Sequence, residues 1–203
     1  MKRTIIIALA VIALVFTSCK KDPIGGTAVQ AASGQWDVSR YFVTTDGSLE
    51  EPLWMTDGVN IYTFANRFMM LTYNNNTNDA DKLYLDDLGY YYSWYIEDYD
   101  LTIPLHMEFK VLANLDLNAL TFSVAEAEDE YEGIPITDLK GGIIKDGAKK
   151  ASGLPRDSIW VSFKINDPDL DAYIADPEEG LGLDNFDHFL ITGVRHTGFE
   201  KDN

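Results

Sequence analysis

Gln35-Trp36-Asp37-Val38-Ser39-Arg40-Tyr41-Phe42-Val43 alternates between two sides, with Trp36, Val38, Arg40 and Phe42 on one and Gln35, Asp37 and Ser39 on the other. A period of two is what a β-strand requires when one face meets a core. The pattern returns near the end of the chain, where Phe189, Ile191, Gly193, Arg195 and Phe199 share a side. Between these two segments the stretches are short, aromatic and β-branched. They predict strands over 35–43, 59–73, 82–85, 90–96, 104–113, 118–124, 158–165 and 187–196. Asp46-Gly47, Asp57-Gly58, Asn74-Asn75-Asn76, Asp86-Asp87-Leu88-Gly89 and Asp146-Gly147 supply the turns. No stretch keeps a 3.6-residue apolar stripe over three turns. The single helix predicted is 167–176, where Asp167 offers an N-cap and Pro168 a first helical residue. About eight antiparallel strands with one apolar side each predict an all-β domain over residues 34–203, a closed barrel or a two-sheet sandwich.

Upstream of that domain, Lys2-Arg3 precede an unbroken apolar run from Ile5 to Phe16, which ends at Thr17-Ser18-Cys19. A cationic start, an apolar centre and a small-residue end predict a signal peptide over residues 1–18. As a helix the run rises roughly 18 Å, short of the roughly 30 Å of hydrocarbon in a bilayer. Ser18-Cys19 resembles the lipobox of bacterial lipoproteins, in which the chain is cut before a Cys that carries acyl chains; Phe16 stands where that family usually has Leu. Cys19 is the only cysteine, and a lone thiol in an oxidising compartment is best explained by a blocked sulfur. Residues 19–33, with Pro23 and Gly25-Gly26, are expected to form a lipidated tether. The chain is thus expected to be exported and lipid-anchored at the outer membrane. Lys20-Lys21-Asp22 leaves its periplasmic or surface face open.

The net charge is −17, and loss of residues 1–18 would remove Lys2 and Arg3 but no acid. Such a chain repels phosphate backbones, so nucleic acid is not an expected partner. The acids are dispersed among 46% apolar residues, which indicates a folded domain rather than a solvated tail.

Gly34-Gln35-Trp36 at the first strand, with Arg195 near the last, resembles the lipocalin and wider calycin arrangement. That resemblance implies that Trp36 sits near a closed barrel end and is covered by Arg195. A wider resemblance runs through Leu71-Thr72-Tyr73-Asn74, Phe109-Lys110-Val111, Leu120-Thr121-Phe122-Ser123 and Gly193-Val194-Arg195-His196-Thr197-Gly198-Phe199-Glu200. These segments are similar to the Bacteroidetes lipoproteins named lipid-binding putative hydrolases. What the resemblance implies is a lipocalin-like barrel of about eight strands that holds a lipid or other amphipathic small molecule in its interior.

The residues themselves carry no catalytic signature. There is no Gly-x-Ser-x-Gly elbow, and the one Cys is assigned to the anchor. His106, His188 and His196 remain for proton transfer; strand neighbours face opposite sides, so Asp187-His188 is not a dyad by adjacency. Asp167, Asp169, Asp171 and Glu178 match the carboxylate spacing of a calcium loop, but Ala172 stands where that loop needs Gly, and a capped helix explains the same residues. No cofactor or metal is expected. The candidate ligand contacts are Tyr91, Trp94 and Tyr95 in the aromatic strand, together with Lys149 and Lys150 in a Gly-rich basic stretch with Lys140, Lys145 and Arg156. That stretch is read as a loop that could receive an anionic head group at the barrel mouth, and Glu126 to Glu132 as an exposed acidic loop. Two other functions stay open: a cell-surface module engaging glycan or protein through exposed aromatics, and a hydrolase of lipid-like esters. Oligomeric state is not legible.

Overall fold

Trp36, Val38, Arg40 and Phe42 are all buried in a computed structural model that describes residues 26–44, 54–56, 59–89, 92–96, 101–105, 108–149, 153–176, 178 and 188–196. The described elements are β1 (Gly34–Thr44), β2 (Trp54–Thr56), β3 (Val59–Tyr73), β4 (Lys82–Asp86), β5 (Tyr92–Ile96), β6 (Leu101–Leu105), β7 (Lys110–Asp116), β8 (Thr121–Glu128), β9 (Pro135–Lys149), β10 (Pro155–Ile165), the helix α1 (Pro168–Ala175) and β11 (His188–Arg195). Neighbouring strands follow the order β1-β11-β10-β9-β8-β7-β4-β3, and β3 pairs back onto β1. The result is a closed eight-stranded antiparallel β-barrel, which resolves the choice between barrel and sandwich. Closure leaves no long sheet edge to pair with another chain. β2 adds a short pairing to β3, and β5 with β6 makes a separate hairpin.

The alternation works because each strand sends every second residue inward. In β7, Val111, Ala113 and Leu115 are buried; in β10, Ile159, Val161, Phe163 and Ile165; in β11, Phe189 and Ile191. Two register shifts in the β1–β3 pairing flank Arg40, where bulges let the strand bend.

Four sequence expectations need correction. The strand expected over 104–113 is two strands: β6 ends at Leu105 and β7 begins at Lys110. Here the Asp87 side chain stands in for a ladder partner, Oδ1 accepting from the Phe109 N–H at 3.0 Å, while the Asp87 N–H donates to the Phe109 carbonyl at 3.1 Å. The strand expected over 118–124 starts only at Thr121, because Asp116 Oδ1 accepts from the N–H groups of Asn118 and Ala119 and folds residues 117–120 into a turn. The Gly-rich basic stretch is not a loop: β9 runs through Lys140, Lys145 and Lys149. A Cβ on Gly141 would lie 2.2 Å from the Phe122 ring and 2.5 Å from the Trp160 carbonyl oxygen, so this glycine marks close packing inside a sheet. Asp146-Gly147 is a kink in β9, with Asp146 at φ 54° beside a register shift at Arg156/Ser158. Finally, the acidic run is strand up to Glu128, and Asp129 within it is buried. Its carboxylate accepts from the N–H groups of Lys110, Tyr131 and Glu132 and so builds the β8–β9 turn.

α1 matches its expected position. Asp167 caps it by accepting from the Asp169 N–H at 2.9 Å, Pro168 opens it, and Leu170, Tyr173 and Ile174 are buried. An Asp167→Ala variant is expected to lose about 1 kcal/mol of stability. Chemical denaturation of the two proteins side by side checks this, and an unchanged midpoint would mean the cap is idle. Among the described residues, no cluster of three or more Asp, Glu, His or Cys side chains is arranged to hold a metal ion.

Candidate functional site

The two ends of the barrel are built from different chemistry. At the first, Trp36 is fully buried and its Nε1–H donates to Thr72 Oγ1 at 2.9 Å, while the Thr72 hydroxyl donates to the Ala32 carbonyl at 2.6 Å. Residues 27–33, which composition assigns to the tether, turn across this end and bury Val29 and Ala32. The Arg195 guanidinium stands over the Trp36 ring, 4.5 Å from its centroid. Its Nη1 donates to the Ser33 carbonyl at 2.7 Å and its Nε to Asp157 Oδ2 at 3.1 Å. Gly34 makes this possible, since a Cβ there would sit 2.4 Å from Arg195 Nη1. The Gly-x-Trp pattern therefore records the space a guanidinium needs.

Further charged side chains hold Arg195 in place. Lys145 reaches Asp157 at 2.9 Å. Burial pushes the Asp157 carboxyl up, but the hydrogen bonds from Lys145 and the Asp146 N–H, with the Lys145 and Arg195 charges, outweigh it and hold Asp157 below the usual carboxylate range. Arg156 donates from Nε and Nη2 to the Arg195 carbonyl and lies 3.6 Å from Asp37. His196 Nδ1 hydrogen-bonds Asp37 Oδ1 at 2.9 Å. This end is sealed by side chains and main chain together.

Toward the other end the interior is packed with aromatic rings, Phe42, Phe109, Phe163 and Phe189 all being buried. Phe42 and Phe189 rings lie 4.9 Å apart, Phe109 and Phe163 4.9 Å, and Phe163 and Phe189 5.7 Å between centroids. Among them sits Arg40, with the rings of Phe68, Phe109 and Phe163 at 5.4 to 5.7 Å from Cζ. Arg40 Nη2 donates to Asp87 Oδ2 at 2.8 Å, both side chains having no exposed surface. Asp87 Oδ1 also accepts from the N–H groups of Phe109 and Gly89. Alternation puts Arg40 on the apolar face of β1, but Asp87 lies in a segment that reads as a turn, so their pairing is not legible in the sequence.

On the outer wall, Tyr73 and Tyr84 stack at 5.3 Å, and Tyr73 and Tyr131 each donate to Asp86. Burial, then the bond to Asp86, pushes both of those phenols well above the usual tyrosine range. They stay neutral donors at any physiological pH. Three outer grooves formed by described residues have volumes of 460 to 660 Å3.

The remaining sequence candidates fall as follows. Trp94 and Tyr95 lie in β5, whose side chains are outside the described set, and Tyr91, Lys150, Ser18, Cys19 and His106 are outside it altogether. Lys149 ends β9 at the sealed end of the barrel, paired with Pro155, instead of at an open mouth. His188 begins β11 opposite Val43. His196 has a carboxylate partner from the far end of the chain, which adjacency could not reveal. No hydroxyl or thiol among the described residues hydrogen-bonds its Nε2.

A family model described as lipid-binding putative hydrolase matches residues 21–200. No curated protein matches the chain.

Proposed function

The chain belongs to the family of lipid-binding putative hydrolases, and from that premise we propose that its barrel receives the apolar part of a lipid or another amphipathic small molecule at the phenylalanine end. The observation that carries this reading is the difference between the ends: one is closed by Trp36, residues 27–33 and Arg195, the other lined by phenylalanine rings. Aromatic and aliphatic walls with a few fixed polar groups are what buried lipid-sized ligands require. Lys2-Arg3, the apolar run to Phe16 and Ser18-Cys19 support export and acylation at Cys19. Several acyl chains would hold the protein stably on the outer membrane, each buried methylene adding about 0.8 kcal/mol.

Titration of the full chain with a fluorescent fatty acid tests the carrier reading. Saturable binding displaced by unlabelled fatty acid is expected, and ligand at a hundredfold above Kd should add about 2.7 kcal/mol of stability. Absence of saturable binding by any acyl ligand would remove the reading. The anchor is tested separately: Cys19→Ser should abolish incorporation of labelled palmitate and release the protein from the membrane fraction.

Among the described residues, the His196–Asp37 hydrogen bond is the one geometry that favours ester hydrolysis, since a carboxylate-oriented imidazole can serve as a general base. If it does, His196→Gln should remove turnover of p-nitrophenyl esters; turnover retained in that variant would leave the pair a structural clasp on β1.

A further inference from the structure

The outer face of β8, β9 and β10 carries a groove lined by two lysines and one carboxylate, on a chain of net charge −17. Pairing register sets Ser123, Lys140 and Ser162 in one row across the three strands, and Thr121, Gly142 and Trp160 in the next. Their strand neighbours Phe122, Leu139, Val161 and Phe163 are buried in the core, so both rows lie on the outer side of the sheet, with Ser162 itself buried at 7% exposure. Members of one row stand about 5 Å apart at Cβ. A groove of about 500 Å3 is lined by Ser123, Lys140, Ser162, Lys164 and His188, with Asp138 as its carboxylate. A second, of about 460 Å3, shares Ser123 and Lys140 and extends along Trp160.

Asp138 is engaged with Lys164 at 3.7 Å. Lys140, in contrast, has no carboxylate within 4.0 Å among the described residues. Lysine and glycine are poor strand formers, yet β9 places Lys140 and two glycines at its centre. The missing side chain of Gly142 keeps open the space beside the Trp160 indole, where a Cβ would lie 3.3 Å from Nε1. The two adjoining rows therefore bring a cation, two hydroxyls and an indole N–H to one side of the sheet. Of these, Lys and Trp can only donate hydrogen bonds, and the hydroxyls can rotate to donate. Phosphate oxygens are acceptors, and charge-assisted bonds to them are the strong class.

We propose that a phosphate group binds where these two grooves adjoin, with Lys140 and Ser123, which line both, supplying the charge and one directional bond, and with Ser162 of the first groove and the Trp160 Nε1–H of the second on either side. The site lies outside the barrel and does not depend on whether an acyl chain enters it. The same phosphate chemistry could come from a free monoester or from the phosphodiester of a lipid headgroup.

The full chain in non-ionic detergent and phosphate-free buffer, titrated calorimetrically with inorganic phosphate and with glycerophosphoglycerol, separates these sources. The second probe is a phospholipid headgroup without its acyl chains, so failure of interior lipid binding cannot affect it. Saturation by either probe is expected. Preference for the first indicates a free phosphate ligand, and preference for the second a headgroup. Lys140→Gln should weaken that binding about tenfold or more, the size of one charge-assisted hydrogen bond, and Lys140→Arg should recover most of it. Trp160→Phe should cost about threefold through loss of the N–H. Fatty-acid binding should not change in either variant. Absence of saturation by both probes up to about 20 mM, beyond the range of a weak millimolar site, would overturn the proposal, as would wild-type affinity in Lys140→Gln.

Discussion

An Asp87→Ala variant is expected to lose about 3–5 kcal/mol of stability, the cost of removing one partner from a buried ion pair. Arg40 has no exposed surface and is surrounded by phenylalanine rings, so water cannot take over the role of Asp87. The same carboxylate accepts from the Phe109 and Gly89 N–H groups, and those donors would be orphaned too. For a domain of this size the loss corresponds to about 10 °C in Tm. Asp87→Asn keeps an acceptor for the two N–H groups but gives up the charge, so its loss should be smaller. Combining Arg40→Met with Asp87→Ala removes both charges and should restore part of the stability, because replacing both members of a buried pair with apolar groups can be nearly neutral. Urea unfolding of Asp87→Ala, of Arg40→Met and of the double variant measures the coupling. Additive effects would mean that Arg40 and Asp87 act independently, and a loss under 1 kcal/mol in Asp87→Ala would mean the pair is hydrated in solution.

That pair also shows where sequence reading stops. The alternation around Arg40 locates the side chain on the inner face, because a strand's period is local. Its partner lies 47 positions away, in a segment whose Asp86-Asp87-Leu88-Gly89 sequence reads as a turn. The segment is a turn, with Leu88 at φ 62° and Gly89 at φ 69°. What cannot be read is that the turn points a carboxylate inward. His196 and Asp37, 159 positions apart, are hidden for the same reason. Arg195 over Trp36 was legible only through resemblance, since nothing local to either residue states the pairing.

β9 failed for a different reason. Gly141 and Gly142 belong to a Gly-rich stretch that reads as a loop, whereas the space for a side chain at Gly141 is occupied by the Phe122 ring and the Trp160 carbonyl. Glycine serves both turns and tight packing, and only the neighbouring strands decide between them. The consequence reaches the candidate site. Once β9 is a strand, its lysines cannot gather at a mouth: Lys145 is drawn to Asp157 and Lys140 is isolated among hydroxyls on the outer wall.

Trp36→Ala is expected to cost about 3–5 kcal/mol, the range for removing a large buried aromatic side chain, and here three losses coincide. The cavity would open beneath Val29 and Ala32, the Thr72 hydroxyl would lose its Nε1–H donor, and Arg195 would lose the ring under it. Trp36→Phe separates these contributions. It keeps an aromatic face for the guanidinium and most of the volume but removes the hydrogen bond to Thr72, so a loss of about 1–2 kcal/mol is expected. Thermal unfolding distinguishes the two variants, and equal losses would mean that the indole N–H carries the whole effect. Trp36→Phe also tests the direction of the barrel. If Trp36 is a floor and the ligand enters past the phenylalanines, fatty-acid affinity should stay within about twofold of wild type, since a contact that is not lost contributes nothing to binding. Abolished binding in a variant that still folds would put the ligand against Trp36, and the sealed end would then have to open.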